Sequence, residues 1–290
     1  MKPAPFTYVR PKSLAEALGC LDDDGDAKLL AGGQSLVPLL NMRLVRPTTL
    51  VDINALPGLA TISPTPDGGL VIGALVRHTD LLASPLVRER TPLLAAAAAH
   101  VGHRAIRNRG TVGGSLAHAD PAAELPAAAV ALDATLTIVG PAARRTIPAR
   151  DFFVGPLVTA LEPREILTAI EIPGPVQRGW GFAEMARRAG DFAIAGVAGI
   201  VTPAAPGRGR SSTARLVAFG AGDTPLRLPG AAALLAGQPI DRALARAAGD
   251  VAARECTPRD DVHATADYRR HLVGVLTEQV VLDCAARLGS

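Results

Sequence analysis

Cysteine is scarce in this chain, and its three cysteines stand far apart. Cys20, Cys256 and Cys284 are the only ones among 290 residues, and none belongs to a C-x-x-C pair. An iron–sulfur cluster is held by four thiolates, and a disulfide framework uses an even number of closely spaced cysteines. We therefore expect no iron–sulfur cluster held by this chain's own thiolates. We also expect a protein of the reducing cytoplasm.

Aromatic side chains and runs of like charge are equally rare. Phe, Trp and Tyr together make up 3% of the chain, and the formal net charge is only +3. Single-stranded nucleic acids are bound on aromatic stacking surfaces, and duplexes are bound on basic patches. The composition and the lack of a Lys/Arg run predict that nucleic acid is not a partner.

Long apolar runs are missing too. The N-terminal stretch MKPAPFTYVRPKSLAEAL has no apolar core of the kind found in a signal peptide. The apolar stretch Leu125–Leu132 (LPAAAVAL) is much shorter than the ~20 residues that a membrane-spanning helix needs. We expect no membrane span.

The residues that are present predict a folded α+β protein in two blocks. Hydrophobic residues make up 48% of the chain and charged residues 20%, which is typical of globular domains. Ser13 and Glu16 form a capping box before an amphipathic helix, and apolar strand patterns follow at 28–31 and 49–53. The segment PGPVQ (Pro173–Gln177) is the predicted domain boundary. The predicted domains are 1–176, with subdomains of about 1–55 and 56–176, and 177–290, a small antiparallel sheet with helices.

Two double-glycine segments are the main candidates for a binding site. AGGQS (Ala31–Ser35) and TVGGS (Thr111–Ser115) each lie between an apolar segment and a predicted helix. Glycines let an anion approach the backbone N–H groups closely, so two such loops suit a diphosphate. Neither segment matches G-x-G-x-x-G, and the chain has no G-x-x-x-x-G-K-[ST] motif. From spacing alone, ordinary tight turns remain the alternative.

A second group of polar residues follows the TVGGS segment. His118, Asp120 and Glu124 have the side chains of a metal triplet, but Asp120 and Pro121 also have the pattern of a helix start, with Asp120 as N-cap. We expect the helix start and no metal site. No candidate nucleophile lies beside a base, so no catalytic residue is predicted in this chain.

Three arginines precede TVGGS and have two interpretations. Arg104, Arg107 and Arg109 follow an alanine-rich helix, where they would contact its C-terminal carbonyl groups. Alternatively, they neutralise a bound diphosphate or contact a partner subunit.

Longer motifs carry a resemblance to a known family. They are AGGQSLVP at residues 31–38, PTTLVDI at 47–53, RNRGTVGGSLAHADPAAELP at 107–126, RRAGDFA at 187–193 and YRRHL at 268–272. Together they resemble the FAD-binding medium subunits of the molybdenum hydroxylases, which include aerobic carbon monoxide dehydrogenase and xanthine dehydrogenase. The resemblance covers essentially the whole chain. It implies a two-part FAD-binding domain of the PCMH type followed by a C-terminal flavoprotein domain.

The resemblance also implies which residues contact FAD. Two pyrophosphate segments are expected, formed by Ala31, Gly32, Gly33, Gln34 and Ser35 and by Thr111, Val112, Gly113, Gly114 and Ser115. Glu124 stands at the acidic position that hydrogen-bonds a cofactor hydroxyl, Leu167 at an apolar position near the flavin, and Phe192 where some members place an aromatic beside the isoalloxazine ring. Many members have histidine in place of Gln34. Some have a lysine near Ala183 and Glu184 that this chain lacks.

The implied function is that of an oxidoreductase subunit that carries FAD and transfers electrons. The resemblance implies a large partner subunit with the molybdenum cofactor and a small one with two [2Fe–2S] clusters, arranged as a dimer of heterotrimers. Electrons would pass from the clusters to FAD and then to NAD, a quinone, oxygen or a carrier protein. Two other classes stay open, a stand-alone FAD-dependent oxidase and a flavin-free scaffold or assembly protein of the same fold.

Overall fold

The structure of the protein, a computed structural model, describes residues 2–21, 26–174, 178–203 and 211–288. The predicted domain boundary between residues 176 and 177 lies outside the described residues. No described helix is both long enough and apolar enough to cross a membrane.

The chain begins with a small three-stranded parallel sheet. Its elements are β1 (Thr7–Val9), α1 (Leu14–Gly19), β2 (Ala27–Leu30), α2 (Leu36–Asn41) and β3 (Thr49–Asp52). The strand order is β1-β3-β2, so β3 is central, and its fully buried Val51 belongs to the same apolar cluster as Ala17 of α1. The predicted cap is present, because Ser13 Oγ accepts a hydrogen bond from the Glu16 amide at 3.2 Å. This unit presents the β2–α2 connection, which contains AGGQS, at one end of the parallel sheet.

A larger mixed unit follows. Its elements are β4 (Ile62–Pro64), β5 (Leu70–Gly73), α3 (His78–Ala83), α4 (Pro85–Arg90), α5 (Pro92–His100), α6 (Arg104–Arg107), α7 (Val112–His118), α8 (Glu124–Ala131), β6 (Thr135–Val139), β7 (Arg144–Pro148), α9 (Ala149–Phe152), β8 (Phe153–Gly155), β9 (Val158–Thr159) and β10 (Ile166–Ile172). Five strands form an antiparallel sheet in the order β4-β5-β10-β6-β7. Every residue of α8 is buried, which makes this helix the centre of the main hydrophobic core.

The C-terminal part is an antiparallel sheet covered by helices. Its elements are β11 (Gly179–Met185), β12 (Ala195–Pro203), β13 (Ser211–Phe219), β14 (Leu226–Arg227), α10 (Pro229–Leu235), α11 (Arg242–Glu255) and α12 (Ala266–Leu288). The strand order is β11-β12-β13-β14, and α12 packs on β11 and β12. The opposite face of the sheet packs on α5 and α8 of the preceding unit, so one core cluster joins Phe219 to Leu125. The α+β prediction, with a smaller sheet-and-helix part at the C-terminus, is confirmed.

Two local predictions are wrong. Asp120 and Pro121 do not start a helix, because α8 begins only at Glu124 and Asp120 Oδ1 instead accepts a hydrogen bond from the Ala122 amide at 2.8 Å. The TVGGS segment is not a loop, because residues from Val112 onward form α7 with Thr111 as its N-cap. In both places a polar side chain accepts a hydrogen bond from a backbone amide two or three residues later in the chain. Such a bond occurs both in turns and at helix starts, so a short motif does not distinguish the two.

Candidate functional site

The AGGQS segment is an open connection with free backbone donors. Gly33 has a φ of +75°, a conformation that a side chain would strain, and it turns the chain from β2 into α2. Within the described part of the chain, the N–H groups of Gly32, Gly33, Gln34 and Ser35 donate no hydrogen bond. Such unpaired amides at a glycine turn are suited to an anionic ligand.

Asn54 binds the two carbonyl groups at the start of this connection. Its Nδ2 donates to the Ala31 carbonyl at 2.8 Å and to the Leu30 carbonyl at 3.2 Å. The Asp52 carboxylate accepts from the Asn54 backbone amide at 2.9 Å and from Asn54 Nδ2 at 2.6 Å. The carbonyl groups of Leu30 and Ala31 are therefore occupied, while the amide groups of Gly32 to Ser35 remain available.

The TVGGS segment has a different set of donors. The amides of Val112 and Gly113 donate to the carbonyls of Val76 and Ala74, and the Gly114 amide donates to Thr111 Oγ1 at 3.1 Å. These N–H groups are therefore already satisfied within the protein. What the segment offers instead is the half-buried Ser115 hydroxyl on the first turns of a rigid helix.

A buried histidine fixes this second segment. His78 Nε2 lies 3.0 Å from the Thr111 carbonyl oxygen and 3.2 Å from Ser115 Oγ. Because a carbonyl oxygen only accepts, Nε2 carries the proton and donates to Thr111. The pKa of His78 is lowered to about 4, mainly by burial and also by the nearby cations Arg107 and Arg77, while the hydrogen bond to the Thr111 backbone opposes the shift. His78 is thus a neutral structural donor at ordinary pH.

The AGGQS segment lies against the two residues that immediately precede TVGGS. A Cβ on Gly32 would overlap the carbonyl oxygen of Arg109 and would lie 2.9 Å from the Gly110 Cα. The backbone before α7 therefore packs directly on the AGGQS backbone, and only glycine fits at position 32. This contact brings the two predicted segments, which are far apart in sequence, to one place.

A cavity of about 320 Å³ opens at this junction. Leu30, Val37 and Pro38 form its apolar wall, and Gly32, Gly33, Gln34 and Arg109 form its polar side. The Gln34 amide side chain makes only a long hydrogen bond, 3.4 Å, to the Gly32 carbonyl. An anionic ligand with an apolar flank matches this lining.

Glu124 is the first residue of α8, which packs against α7, and it is buried, with only 6% of its surface exposed. The pKa of its carboxyl is raised to about 7, mainly by burial and also by the charges of Glu184 and Asp120, while a backbone hydrogen bond and the charge of His100 oppose the shift. A carboxyl of this kind changes between hydrogen-bond donor and acceptor near neutral pH, so it can bond a ligand hydroxyl in either form.

The two apolar site candidates differ in their surroundings. Leu167 is buried at 5% exposure in β10, at a register irregularity of that strand, and β10 packs against α7. Phe192 is 67% exposed on the loop between β11 and β12. Gly190 of the same loop lies against the imidazole of His103. The structure thus brings Leu167 and Glu124 to elements around α7, and it leaves Phe192 on the surface of the C-terminal part.

The arginines before TVGGS divide between the two interpretations. Arg107 donates to the carbonyls of Ala99, Val101 and Gly102 at the end of α5, as the helix-terminus interpretation predicts. Arg109 lines the cavity. The described residues contain no cluster of three metal-ligating side chains.

Comparison with known proteins assigns the family. Residues 4–175 match the family model of the FAD binding domain in molybdopterin dehydrogenase, and residues 180–284 match that of the CO dehydrogenase flavoprotein C-terminal domain. The chain belongs to the FAD-binding medium subunits of the molybdenum hydroxylases. The predicted family, the oxidoreductase class and FAD as the cofactor are thereby confirmed.

Individual members of this family are similar over their whole length. Subunit alpha of the 6-hydroxypseudooxynicotine dehydrogenase complex of Paenarthrobacter nicotinovorans is 43% identical, over 97% of this chain and 95% of that protein. The carbon monoxide dehydrogenase medium chain of Hydrogenophaga pseudoflava is 37% identical, over 99% of both chains. A chain of the crystal structure of quinoline 2-oxidoreductase from Pseudomonas putida 86 superposes with a TM-score of 0.94 at 40% identity, over 100% of both chains.

The residues of this medium subunit fit a dinucleotide diphosphate. Three residues with free amides, Gly32, Gly33 and Gln34, line a cavity whose described lining contains no acidic side chain, and Arg109 adds a cation to that lining. Sequence reasoning overlooked Asn54, Arg77 and His78, which hold the two segments. Their sequence signal is their position shortly after β3 and β5, where the chain leaves a sheet.

Proposed function

We propose that this medium subunit transfers electrons from the [2Fe–2S] clusters of a small partner subunit to an external acceptor. A large partner subunit would contain the molybdenum cofactor, and two heterotrimers would form the particle. The relatives named as a medium chain or as subunits of a complex support this division of labour. So does the chain's own set of three separate, unpaired cysteines, two of them buried. A reducing cytoplasmic location is part of the proposal.

The observation that carries the proposal is the junction of Gly32 with Arg109 and Gly110. In our assignment, Ala31 to Ser35 bind the diphosphate through free amides, and Thr111 to Ser115 form the opposing wall through Ser115 and the start of α7. Glu124 bonds a cofactor hydroxyl, Leu167 packs near the flavin, and Phe192 covers it from the C-terminal domain. When bound, FAD supplies the redox chemistry, and this chain contributes binding and orientation.

The proposed domains are those predicted from the sequence, 1–176 with its two subdomains and 177–290. The two family matches, 4–175 and 180–284, support this division.

The first test is the visible absorption spectrum of the chain purified alone, followed by heat release and identification of any yellow chromophore. We expect about one equivalent of FAD, either as purified or after addition of the partner subunits. A substrate that bleaches the flavin without any partner would instead indicate a stand-alone oxidase. A colourless protein that takes up no FAD under either condition would indicate a scaffold.

Two glycine variants test the loop assignment. In Gly33→Val the new Cβ has a strained φ of +75° and lies 3.1 Å from Val37 and 3.2 Å from Leu30. Gly58→Val is the matched control, since Gly58 has a φ of +77° with no atom within 4 Å of the added Cβ. Both lose roughly 1–2 kcal/mol of backbone stability, but only Gly33→Val loses FAD.

A third variant tests the second segment. A Cβ on Gly114 would lie 2.7 Å from Thr111 Oγ1, the atom that caps α7, so Gly114→Val also empties the site. Stoichiometric FAD in both Gly33→Val and Gly114→Val would refute the assignment.

A further inference from the structure

Arg77 contacts both halves of the junction through its guanidinium group. It donates from one nitrogen to the carbonyl oxygen of Arg109, two residues before TVGGS. From the other nitrogen it donates to Asn54 Oδ1 at 2.6 Å. Asn54 in turn holds the Ala31 carbonyl at 2.8 Å. A single series of hydrogen bonds therefore runs from AGGQS through Asn54 and Arg77 to the backbone before TVGGS.

The backbone of Arg77 adds a second link to the same segment. Arg77 and Thr111 form an antiparallel bridge, in which the Val112 amide donates to the Val76 carbonyl and the His78 amide donates to the Gly110 carbonyl. The base of the Arg77 side chain is thus fixed on TVGGS, while its tip reaches towards AGGQS. Few side chains are as suited to this task, because the planar guanidinium presents several donors in a fixed geometry.

We propose that Arg77 is a positioning residue that fixes the spacing of the two diphosphate-binding segments by acting through Asn54. The proposal rests on the proposed function, because it takes the diphosphate of FAD as the ligand of the junction. Arg77 acts on the ligand indirectly, since both of its described donor groups bond protein oxygens. It holds the free amides of Gly32 to Ser35 at the distance from α7 that the ligand needs. The chain therefore loses less conformational entropy when the ligand binds.

The test is a double-mutant cycle on FAD and ADP affinity, measured by titrating the apo form of the full chain. Arg77→Met and Asn54→Ala each break the series at one point, so each is expected to raise the Kd of FAD about tenfold. ADP carries the diphosphate without the flavin. Its Kd is expected to rise by the same factor. The double variant is expected to bind FAD and ADP no more weakly than either single variant, because each single substitution already interrupts the series of hydrogen bonds.

Arg88→Met is the matched control, because Arg88 is an exposed arginine of the same unit whose described side-chain hydrogen bond goes to the Ala83 carbonyl. The affinities of the Arg88→Met variant for FAD and ADP are expected to equal those of the unaltered chain. Urea unfolding of each apo variant shows whether the fold is retained. Arg77→Lys serves as the conservative variant, and it is expected to recover part of the affinity, because an ammonium reaches one of the two oxygens but not both.

Four outcomes would overturn the proposal. Losses that add in the double variant would mean that Arg77 and Asn54 act separately. Full affinity in Asn54→Ala with a loss in Arg77→Met would mean that Arg77 contacts the ligand itself. Unchanged affinity in both single variants would mean that the spacing does not depend on the series. Failure of the unaltered chain to bind FAD, alone or with its partner subunits, would instead refute the proposed function, and this inference with it.

Discussion

His100 and Glu184 join the two parts of the molecule, with the imidazole Nδ1 3.0 Å from the carboxylate Oε1. His100 ends α5, and Glu184 lies on β11 of the C-terminal sheet with only 6% of its side chain exposed. Phe182 packs against the same imidazole at a centroid distance of 5.1 Å. A polar pair thus lies beside an aromatic contact where the C-terminal sheet packs on α5.

This pair is predicted to make the contact between the two parts of the molecule sensitive to pH. The hydrogen bond to Glu184 raises the pKa of His100, although partial burial opposes the shift. A raised pKa gives stability that is fully present below the ordinary histidine value of about 6.5 and is lost as pH rises through the raised value. We expect the urea midpoint of the unaltered apo chain to decline as the pH rises through the neutral and alkaline range. In His100→Gln this decline should be smaller. His271→Gln, on the exposed face of α12, is the control, and an identical decline in His100→Gln and the unaltered chain would contradict the prediction.

Glu124 is predicted to reduce the stability of the apo chain at high pH. Its pKa is about 7 in the fold, against 4.5 for an unperturbed glutamate. The native state therefore holds the proton more tightly, and the stability present below pH 4.5 is lost as the pH rises to about 7. The difference corresponds to about 3 kcal/mol. We expect Glu124→Gln to be more stable than the unaltered apo chain above pH 7 by a comparable amount, yet to bind FAD more weakly. Glu171→Gln, an exposed strand residue, should change neither property.

His78 is predicted to have the opposite pH dependence. Its pKa is about 4 in the fold, against 6.5 for an unperturbed histidine, so the native state disfavours the proton. Stability present above pH 6.5 is lost as the pH falls to about 4, again by about 3 kcal/mol. His78→Gln keeps a donor for the Thr111 carbonyl but does not titrate, so it should unfold at lower pH than the unaltered chain. An unchanged acid midpoint would show that His78 is not the group responsible.

With these pKa values, Glu124 and His78 are predicted to offset each other over the mildly acidic range. As the pH falls, the contribution of Glu124 increases while that of His78 decreases, and the two changes are of similar size. The unaltered apo chain should therefore show little net pH dependence from this pair there. Combining Glu124→Gln with His78→Gln should restore that flat profile, because the two side chains titrate in opposite directions. A steep profile in the double variant would show that other groups dominate.

Arg269 is predicted to be critical for the stability of the C-terminal part. This buried arginine of α12 donates to the carbonyls of Ile194 and Gly220 and to Asp261 Oδ2 at 2.6 Å. We expect Arg269→Met to lower the free energy of unfolding by about 3 kcal/mol, because it leaves buried carbonyls unpaired.

Its neighbour Arg270 provides the control. Arg270 pairs with Asp267, which is 95% exposed, so Arg270→Met should cost less than about 1 kcal/mol. Urea unfolding of the two variants measures both values. Equal losses would show that the buried hydrogen bonds of Arg269 contribute little. The Ile194 carbonyl ends the loop that carries Phe192, so a large loss would also link this arginine to the order of that loop.

Local patterns in the sequence predicted many of the elements. The Ser13 cap and the strands around residues 28–31 and 49–53 follow from spacing and composition, because these signals act within a few residues. Longer motifs carried the resemblance that named the family and the cofactor. The same local reasoning was wrong at Asp120, where an Asx-type bond resembles a helix cap.

The difference between the two glycine segments and the contacts that join them depend on residues that are remote in sequence. The amides of AGGQS are free, whereas those of TVGGS donate hydrogen bonds to Val76, Ala74 and Thr111. Nothing in either motif records this difference, because the partners Val76 and Ala74 come from a strand end more than thirty residues away in the chain. The packing of Gly32 on Arg109 and the bridging role of Arg77 are likewise contacts between remote segments. The sequence determined the kind of site, and the fold determined its donors, its spacing and its supports.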